Sequence, residues 1–218
     1  DAAALHALVL PMLDSSLAWR VRLDTYEPEV ERYGGRLGMQ LVERLFCADS
    51  EAALRVIASY PANEGLDVRW RVALRGVDLL LDDLGLDQPA KLGVLQQMAS
   101  SFVSEFEHNA NLKQQLATKQ RALHHDVAEA LSTTVAADHA LSSGADALTQ
   151  RTADWREAIT LLQQAETAGH LTVTLPELAS SLAHMHVNRM LRSAHRAHEL
   201  VLYDLLARHH RSQAARRL

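Results

Sequence analysis

The sequence predicts a predominantly helical α+β domain, and three features lead to that prediction. Apolar residues recur at helical spacing through most of the chain after residue 35. Turn residues such as Pro61, Gly85 and Gly169 separate these stretches. Before them, residues 17–23 alternate between apolar and polar side chains, which is typical of a half-buried strand. We therefore expect an N-terminal strand belonging to a small sheet, followed by a bundle of roughly seven to nine helices.

The alternating stretch at residues 17–23 requires a partner strand. Its apolar side chains fall on one side, and Arg20 and Arg22 fall on the other. A single strand leaves its own backbone groups unpaired, and no second strand is evident in the sequence. We therefore expect the partner to come from upstream sequence or another subunit. We interpret residues 1–218 as one domain that lacks its N-terminal strand segment.

Local signals predict the helix boundaries. Asp49 or Ser50 is a suitable N-cap, so the sequence predicts one helix before this point and a second that continues to Pro61. Further along, Thr174 and Glu177 have the spacing of a capping box. We expect a helix to begin there and to carry the segment SSLAHMHVNRML.

The composition argues against several functional classes. The net charge of −5 argues against nucleic acid as a direct partner, because phosphate binding requires a basic surface. No apolar run has the length of a membrane span, and no signal peptide is visible. The single cysteine, Cys47, cannot form an internal disulfide, which is typical of a reducing compartment. We expect a cytoplasmic protein without a membrane partner.

The sequence contains no motif for a cofactor or a metal. It has no glycine-rich phosphate loop, no dinucleotide fingerprint and no nucleophile elbow. Among 12 histidines, His195 and His198 have a spacing that would put them on one helix face, but no third ligand stands at a diagnostic distance. We therefore expect neither a cofactor nor a metal.

Two short segments carry the candidate site residues. In LDTYEPEVERYGGR, Glu29 and Arg32 fall on one side of a short helical turn, and the two glycines that follow permit a positive φ. In SSLAHMHVNRML, His184 and Asn188 fall on one side of a helix, beside an apolar stripe. Spacing alone leaves two interpretations open for each. The first segment is a capped turn with an ion pair or an anion site, and the histidine is structural or a proton-transfer group.

Together, these segments resemble a specific family. DTYEPEVERYGG, followed by LGMQLVERLFCADSEAAL and later by SLAHMHVNRML, is similar to the C-terminal elimination domain of class I lanthipeptide dehydratases and thiopeptide biosynthesis proteins. The order and approximate spacing agree from about residue 17 to the end of the chain. Thiopeptide pyridine synthases belong to the same fold family.

The resemblance implies one step in the maturation of a lanthipeptide or thiopeptide. In that family, a glutamylation domain or protein esterifies Ser or Thr of a leader-bearing precursor peptide with glutamate from glutamyl-tRNA. The elimination domain then removes the Cα proton and expels glutamate, which leaves dehydroalanine or dehydrobutyrine. The implied activity is that of a lyase, and the implied partners are the precursor peptide and the glutamylation protein.

Matched by position, the resemblance assigns catalysis to Glu29, Arg32 and His184. Arg32 is expected to bind the anionic leaving group or enolate, because a guanidinium is always charged and contacts a carboxylate at two points. His184 is the expected proton-transfer residue, and Glu29 orients Arg32 or shares the transfer. Which of the two is the base stays open. Asn188 and Arg189 match the motif as substrate-binding or supporting residues.

The sequence departs from the family at one strand, and two alternative functions stay open. The family carries an upstream arginine-bearing strand of the type PHLRLR, which nothing here matches, so we expect the site of this polypeptide alone to be incomplete. A pyridine synthase would instead join two dehydroalanines in a formal (4+2) cycloaddition and expel the leader peptide. The presence of Glu29, Arg32 and His184 together favours elimination. The second alternative is a non-catalytic module that binds peptide or docks partners. Whether the chain forms a homodimer stays open.

Overall fold

Eight helices make up the regular structure of the computed structural model, which describes residues 2–22, 24–61, 65–105, 110–132, 140–191 and 195–216. The helices in chain order are α1 (Ala2–Asp14), α2 (Gly35–Ser59), α3 (Leu66–Asp83), α4 (Gln88–Glu105), α5 (Ala110–Ala130), α6 (Ser142–Thr167), α7 (Leu175–Met190) and α8 (His195–Ala215). Within the described ranges, no helix is long and apolar enough to cross a membrane.

The prediction of an α+β fold with an N-terminal sheet is wrong. The described residues contain no strand, and residues 17–22 connect α1 to the turn before α2 without a ladder partner. Alternation alone does not make a strand, because the backbone groups need a second strand to bond to. Leu17 and Trp19 are 78% and 85% exposed in consequence. Leu23, the last residue of the alternating pattern, lies outside the described residues.

The hydrophobic core surrounds α7, which contacts α2, α3, α4, α6 and α8. Around it, α2 packs along α6, and α4 packs along α8. Apolar side chains from the seven helices α2 to α8 fill the interior and are withdrawn from water. They include Val42, Leu45, Leu74, Val77, Leu81, Leu95, Leu148, Leu162, Leu178, Val187 and Leu206. Because α7 is central, its faces meet different surroundings.

The helix α2 is continuous over 25 residues, so the predicted division at Asp49 or Ser50 is wrong. Asp49 lies inside the helix and is buried. Its carboxylate binds Arg151 of α6 and His186 of α7 instead of capping a helix start. An aspartate favours an N-cap only where its carboxylate has no better partner, and here distant residues supply one.

Candidate functional site

The predicted capping box fixes the start of α7. The Thr174 hydroxyl accepts a hydrogen bond from the backbone N–H of Glu177 at 3.4 Å, and the Glu177 carboxylate accepts one from the backbone N–H of Thr174 at 2.8 Å. The prediction of this cap is confirmed. From this start, α7 runs to Met190 and carries the candidate residues at positions 184–189 on successive faces.

The segment with Glu29 and Arg32 forms a turn immediately before α2. The N–H of Tyr33 donates to the carbonyl of Glu29 at 3.2 Å. Gly34 and Gly35 have φ values of 83° and 89°, the left-handed region that the sequence predicted for them. The N–H of Thr172 donates to the carbonyl of Gly34 at 3.3 Å, so the turn lies against the residues that lead into α7. This contact brings the two sequence segments together.

Arg32 and His184 line one cavity of about 280 Å³. Arg196 and Tyr203 of α8 contribute to its wall, together with short polar side chains. The remaining lining residues are Gln97, Met98, Ser101, Ser180 and Ser181. Two arginines, a histidine and three serines therefore line one space, and the Tyr203 hydroxyl is buried behind it. Such a set of donors suits a polar, anionic group.

Arg32 forms the predicted ion pair with Glu29. Its Nη1 atom lies 3.2 Å from each oxygen of the Glu29 carboxylate. The side chains of Arg32 and Glu29 are 49% and 58% exposed. Glu29 is not one of the residues that line the cavity. Exposed ion pairs contribute little free energy, so a second carboxylate can compete for this guanidinium.

His184 is held on both nitrogens of its ring. Nδ1 lies 2.8 Å from a carboxylate oxygen of Glu199, and Nε2 lies 3.1 Å from the amide nitrogen of Asn188. An ionised carboxylate can only accept, which assigns a proton to Nδ1, and the Asn188 amide then donates to Nε2. Glu199 is fully buried, whereas the His184 side chain remains 36% exposed. His184 is therefore a fixed imidazole that still reaches the cavity.

A different face of α7 meets a buried charge cluster around Asp49. One oxygen of Asp49 accepts hydrogen bonds from Nδ1 of His186 at 2.6 Å and from Arg151 at 3.1 Å. The other oxygen accepts one from Arg189 at 3.3 Å. Arg151 also donates to the carbonyl of Gly76 at 2.8 Å. This Asp49 cluster joins α2, α3, α6 and α7.

The charges in the Asp49 cluster favour an ionised Asp49 and a neutral His186. Burial opposes ionisation of Asp49, but His186, Arg151 and Arg189 outweigh it and hold the pKa of Asp49 well below its usual range. Burial lowers the pKa of His186, and the two arginines lower it further, because their two positive charges already exceed the single negative charge of Asp49. His186 is therefore a neutral donor in a structural cluster.

The predicted site residues divide between the cavity and the Asp49 cluster. Arg32 and His184 line the cavity, and Glu29 and Asn188 contact them directly. Arg189 lies in the Asp49 cluster, where it also donates to the Ser50 hydroxyl at 3.0 Å. Its role in substrate binding stays a prediction.

Three residues of α8 near the cavity were missing from the prediction: Arg196, Glu199 and Tyr203. No motif marks them, although their spacing places them on one helix face. The sequence had drawn attention instead to His195 and His198. Within the part of the chain that the structure describes, no group of three or more His, Cys, Asp or Glu residues is placed to hold a metal ion.

Comparison with known proteins identifies the family. The model of the lantibiotic biosynthesis dehydratase C-terminal family matches residues 2–210. No curated protein and no solved structure matches the chain significantly. Because the family match covers nearly the whole chain, this protein belongs to the lantibiotic dehydratase C-terminal family. The predicted resemblance is confirmed, and membership places the chain in lanthipeptide maturation, as part of an enzyme that acts on precursor peptides.

Proposed function

We propose that the chain catalyses β-elimination of glutamate from glutamylated Ser or Thr in a leader-bearing precursor peptide. A base takes the Cα proton, and the electron pair of that bond forms the Cα=Cβ double bond. The Cβ–O bond breaks, and glutamate leaves as a carboxylate while the base keeps the proton. Serine yields dehydroalanine and threonine yields dehydrobutyrine. The step needs a positioned base and cations that stabilise the enolate and the leaving group.

The observation that carries this proposal is that Arg32 and His184 line the same cavity. The Arg32 guanidinium suits the leaving carboxylate, because it can donate two parallel hydrogen bonds while keeping its charge. It already binds one carboxylate, that of Glu29, through a single nitrogen. The glutamate released from the substrate offers the same chemical group. Glu29 would then orient Arg32 until the substrate is bound.

His184 would act as the proton-transfer group, through Nε2. Nδ1 is engaged by the buried carboxylate of Glu199, which leaves Nε2 as the basic atom of the ring. Asn188 donates to Nε2 in the structure, so its amide has to turn aside before Nε2 takes a proton. Glu29 is the weaker candidate for the base, because Arg32 engages both of its carboxylate oxygens.

Arg196 of α8 would supply a further donor to the developing charge, and Tyr203 supports the cavity from behind. Arg196 and Tyr203 line the same cavity as His184. Burial, followed by the nearby carboxylate of Glu199, raises the pKa of the Tyr203 phenol well above its usual value. The phenol therefore keeps its proton, and its hydrogen bond goes to Glu199 behind the cavity wall. Donors fixed in advance around an enolate stabilise it most where water is excluded.

The test follows the mass of a precursor peptide that carries glutamylated serine. The chain is added alone and together with the glutamylation protein of the same pathway. Loss of glutamate with formation of dehydroalanine is the expected result. In parallel, a peptide that already contains two dehydroalanines is offered. Leader release with ring formation would identify a pyridine synthase instead. Inertness toward both peptides, with binding retained, would identify a non-catalytic module.

A further inference from the structure

The carboxylate that contacts His184 belongs to Glu199, a buried residue that no sequence motif marked. Glu199 lies on α8, and its side chain has no exposed surface. One of its oxygens lies 2.8 Å from Nδ1 of His184 on α7. A carboxylate in the interior is costly unless polar partners compensate it. His184, which is partly exposed on the neighbouring helix α7, is such a partner for Glu199.

The direction of this hydrogen bond determines which ring nitrogen can react. Imidazole carries its single proton on either nitrogen, and an acceptor at one nitrogen selects the tautomer with the proton there. Glu199 selects Nδ1–H, so the lone pair of His184 lies at Nε2. Asn188 reinforces this choice, because its amide donates to Nε2 at 3.1 Å.

Glu199 also links His184 to a second residue of the cavity. Tyr203 follows Glu199 by one helical turn on α8, and it lines the same cavity as His184. The carboxylate thus lies between the imidazole and the phenol, behind the surface that a substrate would contact. Its position fits a residue that orients its neighbours and does not touch the substrate.

We propose that Glu199 is the positioning residue of this site, holding His184 in the Nδ1–H tautomer so that Nε2 faces the reaction. Its catalytic consequence rests on the proposed elimination, whereas its effect on the tautomer does not. The carboxylate acts through His184 and makes no contact of its own with the reacting atoms. Removal of Glu199 therefore lowers the rate of proton transfer and leaves peptide binding unchanged.

The experiment measures the ¹⁵N chemical shifts of both His184 ring nitrogens, assigned through their loss in His184→Asn. Wild-type protein is expected to show the Nδ1–H tautomer, and Glu199→Leu, which fills the space without an acceptor, is expected to lose it. For elimination we expect a 10- to 100-fold decrease of kcat in Glu199→Leu, with KM changed by less than about threefold. Glu199→Gln keeps the side-chain volume, and its rate should follow whichever tautomer its spectrum shows.

Asp204→Asn is the matched control, because this carboxylate is on the same helix and pairs with Arg208. It should change neither the tautomer nor the rate. An Nε2–H tautomer in wild-type protein, or an Nδ1–H tautomer retained in Glu199→Leu, would overturn the proposal. So would loss of the tautomer with an unchanged rate. A wild-type chain that shows the expected spectra but eliminates no glutamate, even with the glutamylation protein of its pathway present, would refute the proposed function and not the positioning of His184.

Discussion

Two histidines on α7, separated by one residue, have opposite surroundings. His186 is buried in the Asp49 cluster, where burial lowers its pKa and two arginines leave no need for its charge. His184 is 36% exposed, lines the cavity and has one buried carboxylate behind it. One helix thus carries a histidine that holds the fold together and another that is available for chemistry.

The difference shows how the fold places a reactive group. The Asp49 cluster joins α7 to α2, α3 and α6, and thereby fixes the rotation of α7 about its own axis. That rotation determines where His184 points. The turn with Arg32 is held against the start of α7 by the bond between Thr172 and Gly34. Both walls of the cavity therefore depend on structural contacts outside it.

The largest effect is expected from Asp49→Asn, which removes the negative charge from the Asp49 cluster. Arg151 would remain fully buried without its counter-charge. We expect a loss of about 3–5 kcal/mol in the free energy of unfolding, measured by chemical denaturation. As a control, Glu157→Gln removes one partner of the exposed Arg44–Glu157 pair and should cost less than about 1 kcal/mol. Equal losses of free energy of unfolding in the two variants would show that the buried Asp49 cluster stabilises the fold no more than an exposed ion pair does.

A smaller effect is expected from Gly76→Ala, which tests the packing of His186 against α3. The added Cβ would lie 2.1 Å from Nε2 of His186, so the ring or the helix has to move. We expect a loss of about 1–3 kcal/mol in the free energy of unfolding. Gly93→Ala is the matched control, because a Cβ there meets nothing within 4 Å, and it should stabilise by about 0.5–1 kcal/mol. Stabilisation by both changes would contradict the described position of His186.

The pH dependence of stability should separate His186 from exposed histidines. The folded pKa of His186 is lowered, so the unfolded chain takes up a proton first as the pH falls below about 6.5. The free energy of unfolding should therefore decrease with falling pH, by at most about 1.4 kcal/mol per pH unit for this one group. Below the usual pKa of an aspartate, Asp49 adds a further decrease of the same sign.

In His186→Gln, the free energy of unfolding should change less steeply with pH between pH 5 and 7 than in wild type. The difference in slope should be at most that of one bound proton, about 1.4 kcal/mol per pH unit. His209, whose pKa burial also lowers, contributes with the same sign, so the difference between wild type and variant isolates His186. An unaltered slope in His186→Gln would mean that His186 binds a proton equally well in the folded and unfolded chains, which would contradict its lowered pKa.

The helices after residue 35 and the cap of α7 could be predicted because their signals are local. Apolar spacing gives a helix its buried face, and the capping box involves neighbours in sequence. The strand prediction failed because alternation describes one strand and says nothing of its partner. The division of α2 failed because the partners of Asp49 lie on α6 and α7, far along the chain.

The candidate site could be predicted only in part, and that prediction rested on a family resemblance and not on local helix signals. Arg32 and His184 were named as candidates because two motifs resembled a family, whereas spacing alone allowed a simple ion pair and a structural histidine. Glu199 and Tyr203 carry no such motif. Their importance arises from the packing of α8 against α7, which no local pattern encodes. The structural role of His186 was also not predicted, because its partner Asp49 lies on α2, far along the chain.

The most direct test of the central claim compares glutamate release by wild-type protein, Arg32→Ala and His184→Ala in single-turnover experiments on glutamylated peptide. The Arg32 side chain is half exposed, so Arg32→Ala should keep its free energy of unfolding within about 1 kcal/mol of wild type. His184→Ala removes a partner of the buried Glu199 carboxylate and should lower the free energy of unfolding by about 1–3 kcal/mol, so both variants are compared under conditions in which they are folded. We expect the rate of glutamate release to fall at least about 100-fold in each variant, with peptide binding largely retained. Release at the wild-type rate in both folded variants would contradict the assignment of this cavity as the elimination site.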